Sequence, residues 1–230
     1  MAGTDLGDDL AALDAGGEES SSAGGGYGFG PSGGSTVAGG GWPRQPEVIR
    51  RGRVGAAVGR AVHATLQLLD LGHPRAVEEL VRQQCGVEAI SDRAATVGQL
   101  VWSALRSEAV GLAVDHRHHK ELYVAAPIGE RLLEGYVDLL VETPAGLIIV
   151  DYKTDTANTD AEIEAKLASY SRQAAAYAVA LEAVTAQPVL ACRFVFCRVG
   201  PAIERSVHDL PGAMANVRAT LSDPALGTGG

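Results

Sequence analysis

The chain has 230 residues, 28 of them acidic and 19 basic, for a formal net charge of −9. Hydrophobic residues make up 46% and charged residues 20%, enough to fill the core of one domain of ordinary size, so a chain disordered throughout is excluded. No apolar run approaches the ~18 residues of a membrane span, the N-terminus lacks a basic-then-apolar leader pattern, and the acidic balance counts at first sight against phosphate binding.

Residues 1–46 are dominated by Gly and Ser and hold six acids against Arg44 alone. Such a segment buries too little apolar surface to offset a backbone entropy of about 1–2 kcal/mol per residue, so it reads as a disordered acidic tail or linker. Five of the nine negative charges belong to it. From residue 47 to about 71, Val48, Val54, Val58, Val62, Leu66 and Leu69 recur at helical spacing. Residues 76–84 and 94–110 read as two more helices, the second opened by Ser91 or Asp92 as N-cap. His116, His118 and His119 read as solvated residues of a loop. Then Val, Ile, Leu and Tyr dominate: 121–126, 131–142 and 147–153 read as three strands of an antiparallel meander. A long helix over 160–184, a fourth strand over 188–199 and a short helix over 207–221 complete the order, and residues 223–230 read as a flexible C-terminus. Helices, meander, helix and strand predict an α/β fold with a helical N-terminal lobe (47–118) and a core over 119–200. Cys85, Cys192 and Cys197 match neither a disulfide framework nor a familiar zinc spacing, which points to a reducing cytoplasm.

The strand ending in Asp151-Tyr152-Lys153 puts the carboxylate and the ammonium on one face. The strand before it carries Asp138 among apolar neighbours, and a hairpin brings Asp138 near Asp151. Two carboxylates ~4 Å apart repel by about 4 kcal/mol at an effective dielectric of 20. A divalent ion together with Lys153 would compensate. Glu164-Ala165-Lys166 repeats the tripeptide, but on a helix residues two apart diverge by roughly 200°, so it reads as a decoy. Upstream, Gly59-x3-His63 places an imidazole on the first helix; downstream, Tyr170, Gln173 and Tyr177 share a helical face.

Together, Gly59-x3-His63, Glu121, Gly135-x2-Asp138, the run from Val150 to Asp155 and Gln173-x3-Tyr177 resemble the RecB/AddA-type nuclease domain of the PD-(D/E)xK superfamily. The resemblance covers about residues 50–200 and implies a restriction-endonuclease-like core. It implies a metal-dependent DNA nuclease, with exonuclease action favoured, serving double-strand-break repair and recombination. Asp138, Asp151, the Tyr152 carbonyl and His63 would hold Mg²⁺, with Mn²⁺ as a substitute, and Glu121 would bind a second metal or structure the site. Lys153 would position water or neutralise charge, and Gln173 and Tyr177 would orient the Lys153 strand or contact DNA. Val137 stands where the superfamily has Pro, and three cysteines do not supply the four-cysteine iron–sulfur cluster of some relatives, so none is expected. No Walker A sequence is present, so the chain reads as having no motor of its own; it would work alone or with a helicase in trans. The alternative is a DNA- or partner-binding module that does not cut. Arg44, Arg50, Arg51, Arg53 and Arg60, against Glu47 alone, make a basic stretch expected to contact single strands or DNA ends; the chain would then be cytoplasmic and join the nucleoid when engaged.

Overall fold

A computed structural model describes residues 47–129, 131–155 and 159–222, with side chains from residue 53 onward. The expected tail over 1–46, Arg44 within it, and the C-terminal residues 223–230 lie outside the described residues. In chain order the described elements are α1 (Glu47–Leu68), α2 (Val77–Val87), α3 (Ala94–Leu105), α4 (Glu108–Asp115), β1 (Arg117–Ile128), β2 (Arg131–Thr143), β3 (Gly146–Lys153), α5 (Asp160–Thr185), β4 (Val189–Phe196), β5 (Ile203–Ser206) and α6 (Leu210–Ser222).

The sheet order is β1-β2-β3-β4-β5. β1, β2 and β3 pair antiparallel, β3 and β4 pair parallel, and β5 returns antiparallel to β4. A parallel pair needs a crossover, which α5 supplies. Its start is fixed by a capping box: Thr159 accepts from the Glu162 N–H while the Glu162 carboxylate accepts from the Thr159 N–H. This is an α/β restriction-endonuclease-like core.

The sheet is buried on both faces over β3 and β4. Val62, Leu66, Val97 and Val101 of the N-terminal helices pack against Leu139, Val141, Ile148, Val150 and Tyr152. On the opposite face, Ile163, Leu167, Val179 and Leu181 of α5 pack against Leu140, Leu147, Ile149 and Phe194. Alternation along β3 divides its side chains between the two layers, and its near-continuous apolar run follows from burial on both faces.

Four local differences from the sequence expectations have physical causes. The helix expected over 94–110 is two helices. Ser107 is extended, accepts from the Val110 N–H and starts α4, while the Glu204 carboxylate accepts from the N–H groups of Glu108 and Ala109. Neither Ser91 nor Asp92 caps α3; Ser91–Arg93 forms a 3-10 turn leading into it. β1 starts at Arg117, because β2 is long enough to pair with it from Glu142 downward. His118 and His119 therefore lie on a strand rather than in a loop, half-buried, with His119 Nε2 2.7 Å from Glu142 Oε1. Finally, the expected fourth strand ends at Phe196, and the short β5 follows.

Candidate active site

Four elements, α1, β1, β2 and β3, converge where β2 and β3 part. Their Cα pairing ends at Leu139↔Val150, just before Asp138 and Asp151. Val137 belongs to the α5-side core, whereas Leu139 belongs to the α1-side core, so the alternation of β2 is broken at Asp138. The neighbouring β1 shows the matching irregularity. Lys120 pairs with Leu139 and Leu122 with Val137, which sets Glu121 opposite Asp138, at φ +48°. A non-glycine residue in that region costs about 1–3 kcal/mol and re-aims its side chain, a strain that concentrates at functional sites.

The carboxylate of Asp138 is held from two sides. Oδ1 lies 3.2 Å from His63 Nδ1, and Oδ2 accepts from the Tyr152 N–H at 2.7 Å. His63 is fixed by its helix, whose residues Gly59, Ala61 and Val62 are buried, and its ring meets Tyr152 edge-on at 6.0 Å. Lys120 ties the end of α1 to β1 by donating to the Leu69 carbonyl at 2.6 Å. Ligand atoms of His63, Glu121 and Asp138 all lie within 4.8 Å of one another.

Beside this trio, Lys153 Nζ stands 2.9 Å from Asp151 Oδ2, with the two side chains only 13% and 19% exposed. That oxygen is buried, and the Lys153 ammonium is the charge it faces. Lys153 also lies 4.2 Å above the Tyr170 ring and 6.0 Å from that of Phe194. Burial pushes the Asp151 carboxyl up to about 6, and Asp138 adds to this while Lys153 opposes it. Burial raises Glu121 too, and the charges of Asp138 and Asp151 raise it further. For Asp138 burial is outweighed by His63, the Tyr152 N–H and Lys153, which together hold its carboxyl below the ordinary range. Burial works against the charge on Lys153, but the neighbouring Asp151 outweighs it and holds the ammonium protonated.

Gln173 is buried, and its Nε2 donates to the Tyr177 hydroxyl at 3.2 Å. A Cβ on Gly135 would stand 2.4 Å from Tyr177 Cε1, so the glycine leaves room for that ring against β2. Gln173 and Tyr177 thus brace β2, just before Asp138. The sequence pattern missed a second brace. Asp155 accepts from the Tyr170 hydroxyl at 3.0 Å and is ion-paired with Lys166. Lys166 and Tyr170 stand at i, i+4 on α5, a spacing that could have flagged this lysine as a partner for Asp155 rather than as part of a decoy. Of the expected DNA-contacting arginines, Arg53 is exposed, and Arg60 is paired with Glu88 at 2.6 Å. Arg50 and Arg51 lie on α1 with side chains outside the described set.

The donor set fits a hard divalent ion: an imidazole and two carboxylates with ligand atoms within 4.8 Å of one another, and beside them Asp151, among acids whose mutual repulsion a cation would relieve. Cys85, Cys192 and Cys197 are free and buried.

Parts of this chain align with known proteins. A 62-residue stretch is 42% identical to an ATP-dependent helicase/nuclease subunit of Levilactobacillus brevis; it covers 26% of this chain and 5% of that relative. The crystal structure of SSO0001 aligns with 73% of this chain and 76% of that one, at a TM-score of 0.34 and 13% identity. The model of the PD-(D/E)XK nuclease superfamily matches residues 40–224, which span the whole sheet and all the site residues above. The chain belongs to the PD-(D/E)XK nuclease superfamily.

Proposed function

We propose that the chain is a metal-dependent deoxyribonuclease that hydrolyses phosphodiester bonds from DNA ends. Mg²⁺ is its resident ion and Mn²⁺ a substitute. The observation that carries this reading is the gathering of His63, Glu121 and Asp138 within 4.8 Å, beside the buried Asp151–Lys153 pair.

His63, Asp138 and Asp151 would hold the ion together with the Tyr152 carbonyl, and Glu121 would complete the set or hold a second ion. A bound divalent ion supplies Lewis-acid stabilisation of phosphate oxygens and eases the deprotonation of water. The residues of the chain do the rest. The Tyr152 N–H and His63 orient the Asp138 carboxylate. Lys153, kept protonated and pinned between Asp151 and the Tyr170 ring, presents a compact positive charge that holds the attacking water or the negative phosphate. Gln173 and Tyr177 keep β2 and α5 in register, so that the carboxylates stay aimed at one point. Arg50, Arg51 and Arg53 would guide the sugar–phosphate backbone toward the site.

The relative's name, an ATP-dependent helicase/nuclease subunit, supports a helicase as partner; we extend this to a helicase in trans that supplies single strands, to double-strand-break repair and recombination, and to the cytoplasm. Among the described residues no helix is long and apolar enough to cross a membrane. Incubating the purified chain with end-labelled linear DNA tests the reading: product should form with Mg²⁺ or Mn²⁺ and vanish with EDTA. Binding without metal-dependent cleavage would instead favour a non-cutting module.

A further inference from the structure

Among the described residues, the outer halves of β1 and β2 are covered on one face only. Leu122, Val124, Ala126, Leu133 and Val137 pack toward α5 and α6. Strand alternation places Tyr123, Leu132, Glu134 and Tyr136 on the other face. There Tyr123 is 50% exposed, Leu132 57% and Tyr136 59%. Tyr123 and Tyr136 are directly opposite in the register, their ring centroids 5.2 Å apart and tilted by 51°. The Tyr123 hydroxyl donates to Glu134 Oε2 at 2.5 Å, which fixes one ring of the pair.

The pair lies two residues from each carboxylate of the metal-ligating trio: Tyr123 from Glu121, Tyr136 from Asp138. At ~3.3 Å per residue that is about 7 Å along the strands. Exposed aromatic rings beside a phosphate-cleaving centre suit a flat π-face, because stacking tolerates any base. Glu134 at the pair disfavours phosphate, so the rings rather than a cationic groove would make the contact. Duplex DNA hides its base faces; an unpaired strand presents them.

We infer that Tyr123 and Tyr136 form a stacking platform for the bases of single-stranded DNA next to the scissile phosphate. The inference rests on the proposed nuclease reading and adds to it the contact that holds the single strand.

The test measures binding of a fluorescein-labelled 12-mer oligodeoxythymidylate, and of an abasic strand of the same length, in EDTA. Mg²⁺-dependent cleavage of the first is measured in parallel. Replacing both tyrosines by Ala should weaken oligodeoxythymidylate binding by about tenfold or more, and Tyr123→Phe/Tyr136→Phe should bind within about twofold of wild type. Binding of the abasic strand should be unchanged in every variant. As a check that needs no variant, light-induced cross-linking of a 5-bromodeoxyuridine strand to wild type should label the peptide spanning Tyr123 to Tyr136. Equal loss for both strands, no loss in the Ala variant, or cross-links confined to other peptides would overturn the platform. If wild type still cleaves in those cases, the nuclease reading stands; if wild type neither binds nor cleaves DNA, both fall.

Discussion

Asp151 holds a carboxyl that burial pushes up to about 6, against an ordinary value of 3.8. Glu121 is raised in the same direction, whereas Asp138 is lowered and stays ionised through this range. In the metal-free chain the folded state therefore keeps a proton on Asp151 between about pH 4 and 6 that the unfolded state has lost. Through this group, stability falls as pH rises across that window. A metal ion competes with the same proton, so its affinity should rise with pH, by about tenfold per unit below 6 for each proton displaced. We expect Mn²⁺ to raise the melting temperature clearly more at pH 7.5 than at pH 5.5. A shift independent of pH would mean that Asp151 is not a ligand. Asp151 and Lys153 were legible in the sequence because β3 keeps the strand alternation that β2 breaks at Asp138. The unusual backbone of Glu121 was not, because its φ of +48° is set by the neighbouring strands rather than by local preference.

At the scale of elements, the contact between Gly135 and Tyr177 joins two motifs 42 positions apart. Gly135→Ala forces a methyl group into the Tyr177 ring, where the nearest ring atom would be 2.4 Å away. Overpacking of this kind costs about 1–3 kcal/mol. Tyr177→Ala in the same chain removes the clash, so urea unfolding of the double variant should show strong non-additivity. Additive losses would mean that β2 shifts freely away from α5. Here the order of the motifs in the sequence carried real information, since glycine on one strand and tyrosine on one helix are spatial partners. Other elements were hidden for an equally physical reason. The break between α3 and α4 depends on Glu204, almost a hundred positions downstream, whose carboxylate meets the first N–H groups of α4. No local pattern reports such a partner. β5 spans only four residues, three half-buried and one exposed, and leaves too short a trace of alternation to read. Lys166 reads as a decoy when set against Glu164, whereas it pairs with Asp155, just past the end of β3.

Over the whole molecule, negative charge has two separate meanings. Part of the net −9 belongs to residues 1–46, and part is the acid cluster itself, which repels phosphate only while it lacks a cation. The basic stretch at the start of α1 is also reduced, because Arg60 is committed to Glu88. Replacing Arg50, Arg51 and Arg53 together by Ala should weaken DNA binding and lower the slope of log affinity against log salt by about 2, as for three lost contacts to single strands. Arg60→Ala alone should change that slope little; fluorescence anisotropy over a salt series separates the two. The central claim is that this cluster of acids, imidazole and lysine cuts DNA with a divalent ion. Gel analysis of end-labelled linear DNA with Mg²⁺, comparing wild type with Asp151→Ala and Lys153→Ala, tests it most directly. Wild type should cleave in a way that EDTA abolishes, and each variant should lose at least about a hundredfold. Equal cleavage by all three proteins, or cleavage undiminished by EDTA, would contradict it.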